Sequence, residues 1–106
     1  MKIYKLKDME RGWFIGDFEP SVLKSADFEV AYLYHHAGQE WPSHFHSKAI
    51  EYNLLVKGKM RINGIEIKEK DIFVIDKNEV ATPEFLENCE IVCVKVPSVK
   101  NDKFNV

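Results

Sequence analysis

The feature that most constrains this chain is how often it is interrupted. Short runs rich in Val, Ile, Tyr and Phe are broken every few residues by Gly, Pro, Asn or Asp. No segment keeps a helical period long enough to make a buried helix. Runs of this length with turn residues between them read as strands. Candidate strands are 12–15, 28–36, 43–46, 52–56, 59–62, 65–67, 72–75 and 91–96. Asn63-Gly64, between Ile62 and Ile65, predicts a type I′ hairpin, because both residues accept positive φ. Lys57-Gly58 marks a second tight turn, and 21–27 is expected to form one helical turn. Eight or more short strands at this spacing imply an all-β sandwich or barrel.

The 106 residues carry no repeat, low-complexity stretch or linker, so residues 1–106 are expected to form one domain. The polar tail, 100–106, is expected to be loosely held unless it docks on a partner. Fifteen Lys and Arg against 17 Asp and Glu give a net charge of −2, with the lysines scattered among acids. That argues against nucleic-acid binding, which needs a clustered basic face. No apolar run approaches the roughly 20 residues that span a bilayer, and the N-terminus does not read as a signal peptide. The expectation is a cytoplasmic protein without a membrane partner. Cys89 and Cys93 lie four apart in an apolar run. On one strand they would stand about 13 Å apart, too far for a disulfide, so they are read as reduced core residues.

The chemistry sits near the middle of the chain. His44 and His46 flank Phe45, and residues two apart on a strand share a face. Both imidazoles can then reach one metal ion. Glu51 is five residues past His46, an odd offset that puts it on the opposite face of an uninterrupted strand. A turn or bulge at 47–49 must reset the register for Glu51 to join them. Two His and one carboxylate suit non-haem Fe(II), and Mn, Ni, Zn or Cu also fit this donor set.

The longer pattern, Gly38, Pro42, His44, His46, Glu51 and Gly58, resembles the first conserved motif of the cupin superfamily at each position and spacing. Residues 11–18 and 96–99, with Asp102-Lys103, look like those of short stand-alone cupins of unassigned activity. The resemblance implies a double-stranded β-helix, a jelly-roll barrel. Its second motif corresponds to about 70–88 and is degenerate here. Asp71 and an apolar strand are present, Asp76 stands where Pro is usual, and Asn78 replaces Gly, an exchange αL geometry tolerates. Ala81 occupies the position of the usual third histidine and cannot ligate. Glu84, His35 or His36 are the candidates to supply another ligand; the blander readings are an exposed loop charge for Glu84 and a loop-end histidine for the other two. Trp41 is the candidate for the pocket mouth, and Asn53, two past Glu51, for hydrogen bonding to a ligand.

The resemblance thus implies a small metal-binding cupin. Its divalent transition metal would sit on His44, His46 and Glu51, beside a small organic ligand, with isomerase or dioxygenase-type chemistry within the family's range. The alternative is a metal-free degenerate cupin acting as a binding or assembly module, which Ala81 favours. The family also suggests a homodimer formed through edge strands and the apolar segment 3–18.

Overall fold

The computed structural model describes residues 1–106 and contains eleven strands. They are β1 (Trp13–Gly16), β2 (Leu23–Lys24), β3 (Glu29–His35), β4 (His44–His46), β5 (Ile50–Lys57), β6 (Met60–Ile62), β7 (Ile65–Ile67), β8 (Ile72–Ile75), β9 (Pro83–Phe85), β10 (Cys89–Val96) and β11 (Lys103–Asn105). One layer is a six-stranded sheet in the order β2-β1-β3-β10-β5-β8. The other is made from the pair β11-β4 and the triple β7-β6-β9. An isolated antiparallel bridge between His44 and Ala81 ties β4 to the segment leading into β9. No helix is long and apolar enough to cross a membrane.

The local chemistry agrees with these elements. Asn63 and Gly64 take φ of 52° and 78° in the β6–β7 hairpin, as a type I′ turn requires. Asn78 takes φ of 65°, so it does substitute for glycine. Gly58 is irreplaceable on two counts: its φ is 102°, and a Cβ there would lie 2.3 Å from the Asn88 carbonyl oxygen. Cys89 and Cys93 are both buried free thiols on the inner face of β10. Two expectations fail. Residues 21–27 form no helical turn; Leu23–Lys24 instead pairs in parallel with β1, and the one short helix is a 3₁₀ turn at Leu6–Asp8. The tail is not loose, because β11 pairs antiparallel with β4 within the same chain.

Strand register arranges the inner face of the large sheet in rows. Leu33, Ile91 and Leu55 lie side by side across β3, β10 and β5. Ala31, Cys93, Asn53 and Phe73 form the next row, and Glu29, Lys95, Glu51 and Ile75 the one after. The apolar rows meet Met60, Ile67 and Phe85 from the small sheet to make the core with Leu55, Cys89 and Ile91. The barrel is therefore apolar at one end and polar at the other, and the polar end holds the candidate site.

Candidate metal centre

Period-2 alternation on β4 turns His44 and His46 inward, at 8% and 4% exposure, and Phe45 outward to stack on Phe104. The register reset after His46 is real, and Asp102 fixes it. The buried Asp102 carboxylate accepts hydrogen bonds from the backbone N–H groups of Ser47 (3.0 Å), Lys48 (3.2 Å) and Ala49 (3.0 Å) and from the Ser47 hydroxyl (2.7 Å). These bonds hold the turn that brings Glu51 to the inner face beside the histidines. Burial pushes the Asp102 carboxyl up, but the Ser47 hydroxyl and the three amides outweigh it and hold it below its ordinary value.

The ligating atoms of His44, His46 and Glu51 all lie within 4.8 Å of one another. Each imidazole is already oriented. His44 Nδ1 is 3.0 Å from the Pro42 carbonyl oxygen, which can only accept, so Nδ1 carries the proton and Nε2 presents its lone pair. His46 Nδ1 lies 3.1 Å from Glu51 Oε2, and its Nε2 is buried with no hydrogen-bond partner. Burial lowers the pKa of His44, which favours the neutral, ligating form. Burial also pushes the Glu51 carboxyl up, but the His46 hydrogen bond and the nearby Lys95 charge hold it down to about 2. The Cys93 thiol lies 3.4 Å from Glu51 Oε1. Burial first and the Glu51 charge second push that thiol well up, so Cys93 acts as a proton-bearing support for Glu51 rather than as a thiolate ligand.

The other candidates separate clearly. Ala81 is buried at 1% exposure and exchanges both backbone hydrogen bonds with His44, at 3.1 and 2.8 Å. A side chain there stands directly beside His44, which is where a third imidazole would belong. Glu84 does not replace it: it lies on the exposed side of β9 and pairs with Arg61 at 3.5 Å. His36 is exposed. His35 faces inward but at the apolar end, stacked 4.3 Å from Phe85 and edge-on to Trp41 at 5.1 Å. It therefore lines the cavity without joining the cluster. Trp41 and Asn53 also line this cavity, whose volume is about 1080 Å³.

Sequence reasoning assigned no role at the site to four residues found here. Asp102 acts from a tail that shares no local pattern with the turn it holds. Lys103 is the direct partner of His46 on β11 and so shares its inward face. Glu29 and Lys95 share the row of Glu51. For Lys95 a signal existed, since it follows the buried Cys93 by two residues and so continues the inward period.

No family model and no curated protein matches the sequence. Solved structures do match its fold. A conserved protein with a double-stranded β-helix domain from Klebsiella pneumoniae superposes with a TM-score of 0.71 at 22% identity, covering 99% of this chain and 91% of that one. A bacterial pirin in complex with nickel(II) from Escherichia coli matches at TM-score 0.68 and 18% identity, covering 83% of this chain and 39% of the pirin. A cupin-2 domain protein from Shewanella frigidimarina matches at 0.57 and 19% identity, covering 66% and 71% of the two chains. This chain spans well under half of the pirin. At these identities the likeness establishes the fold.

Proposed function

We propose that this chain, a small barrel of the cupin fold, holds one divalent transition metal on His44, His46 and Glu51 and binds a small organic molecule in the adjoining cavity. The observation that carries this reading is the pair of pre-oriented imidazoles, above all the buried Nε2 of His46 that no protein group satisfies. A buried polar atom without a partner is costly, and here a ligated cation would complete it. A metal bound there would act as a Lewis acid on an oxygen of the bound molecule. The chain's own contributions are separable. The Pro42 carbonyl aims the His44 imidazole, a second-sphere role that tunes metal sites. Glu51 supplies negative charge, and Cys93 supports it. Trp41 and Phe85 form part of the apolar cavity wall.

The donor set suits Fe, Mn, Ni, Zn or Cu, and the cupin resemblance offers isomerase or dioxygenase-type chemistry for such a site. We place the chain in the cytoplasm, a setting in which the buried thiols of Cys89 and Cys93 stay reduced. The outer face of the large sheet leaves Tyr52, Ile72 and Val74 exposed at the open edge of β8, which supports a homodimer. A second functional reading, a metal-free binding module, rests on Ala81 alone.

Elemental analysis of the purified protein, followed by titration of the metal-stripped protein with Fe(II), Mn(II), Ni(II), Zn(II) and Cu(II), decides between the readings. Saturable 1:1 binding of at least one metal that His44→Ala and His46→Ala each abolish is expected. No saturable binding to any of them at neutral pH would leave the metal-free module as the function.

A further inference from the structure

The metal reading accounts for only part of the cavity wall. Asn53 projects inward two residues past Glu51, is 5% exposed, and its Nδ2 is buried with no hydrogen-bond partner. An amide nitrogen can only donate, so the missing partner is an acceptor. Lining the same cavity are three cations that form no ion pair: Lys95 on the adjacent strand β10, Lys103 on β11, and Arg11. The molecule's four ion pairs use Lys24, His46, Lys59 and Arg61, and none uses Arg11, Lys95 or Lys103. Instead, Lys95 Nζ sits 4.8 Å from the centre of the Trp13 ring and Lys103 Nζ 4.1 Å from that of Trp41. These aromatic faces hold the two ammonium groups at the cavity without neutralising them. The three cations and Asn53 all line the same cavity. The charges of Lys95 and Arg11 oppose that of Lys103, and the charge of Glu51 offsets them only in part.

Lys95 lies between Glu29 and Glu51 in strand register, yet forms no ion pair with either. Glu51 is engaged with His46, and neither carboxylate closes an ion pair with the lysine, although both feel its charge. An incoming anion is therefore the group that relieves both the unpaired donor and the like charges. A neutral polyol satisfies Asn53 but leaves the cations opposed. A cationic ligand satisfies neither.

We infer that Asn53, Lys95 and Lys103 form a carboxylate-binding subsite, so that the molecule this cavity takes is a small carboxylate. Its carboxylate lies against the amide and the two ammonium groups, and its other end extends toward His44, His46 and Glu51. Only that second placement rests on the metal reading proposed above. The subsite itself needs no metal.

The test is calorimetric titration of the protein with lactate and malonate against the neutral lactamide and malonamide, in metal-stripped and metal-loaded forms. The acids are expected to bind in both forms and the amides in neither. Lys103→Met, at an exposed position, is expected to weaken lactate binding by about tenfold, the worth of one hydrogen bond to a charged group. Lys95→Met and Asn53→Leu are expected to do the same, and Lys103→Met carries the test if Asn53→Leu does not fold. Acids and amides binding alike, acids not binding at all, or Lys103→Met and Lys95→Met both leaving affinity within about twofold would each overturn the inference. Carboxylate binding by the stripped protein alongside a failure to bind any metal would sustain the subsite and refute the metal reading.

Discussion

Replacing Asp102 by alanine removes one carboxylate and strands four donors. The Ser47, Lys48 and Ala49 amides and the Ser47 hydroxyl all converge on it. A hydrogen bond to a charged group contributes about 1.5–3 kcal/mol, and an amide left buried and unpaired costs about 1–3 kcal/mol. The four share one acceptor, so they do not add, and water reaches exposed Lys48 in the variant while Ala49 stays buried. We expect a loss of about 3–4 kcal/mol, within the range for breaking a buried charged network. Urea unfolding measures it: with a slope near 1.5 kcal/mol per molar, the midpoint falls by about 2 M. Asp102→Asn should lose most of the same amount, because its amide nitrogen confronts backbone N–H groups. Asp27→Ala, at an exposed position, should cost little. The acid side supplies a sign. Asp102 has a lowered folded-state pKa, so its contribution is complete above the unfolded value of about 3.9 and is lost as pH falls through that region toward the folded value. The gap between wild type and Asp102→Ala should therefore close in acid. A midpoint shift below about 0.3 M, or a gap that widens as pH falls, would refute the role assigned to the carboxylate.

Ala81→His should strengthen metal binding at least about tenfold by calorimetry, since the new imidazole enters beside His44; unchanged affinity would show that the bridge does not aim the side chain at the metal. Metal affinity should hold down to about pH 6.5 and fall only below it, because burial keeps His44 neutral to lower pH than an ordinary imidazole. A decline that begins above neutral pH would contradict this. Sedimentation should give about twice the 12.4 kDa chain mass, and Tyr52→Lys with Val74→Lys should return the monomer mass; a wild-type monomer at micromolar concentration ends the dimer reading.

The barrel was legible in the sequence wherever a strand was long enough to show alternation. Strands β3, β5, β8 and β10 alternate or run apolar, and the β6–β7 hairpin carries Asn-Gly. Three strands escaped notice. β2 has only two residues, β9 begins with a proline that argues against a strand, and β11 is Lys-Phe-Asn in a polar tail. Their existence depends on partners far along the chain rather than on their own residues. The site divides in the same way. His44, His46 and Glu51 were readable from spacing, and the odd offset to Glu51 correctly demanded a bend. What makes the bend was not readable, because Asp102 is 55 residues from Ser47. Lys103 and Glu29 were hidden for the same reason, since register alone turns them toward the cavity.

The position of β10 bears on how the chain reaches this state. It lies in the interior of the large sheet, between β3 and β5, although it is nearly last in sequence. The 3–10 pairing joins residues such as Ala31 and Cys93, and the site strand β4 waits for β11, as His44 does for Asn105. Most contacts thus close long loops, and long loops must be closed before their contacts reward them. A chain ending before residue 89 can form the β6–β7 hairpin but not the six-stranded sheet. Folding should therefore be slow for a chain of this size, in the millisecond-to-second range of high-contact-order β proteins, and cooperative. The histidine cluster would assemble with the final closure of the barrel and not ahead of it.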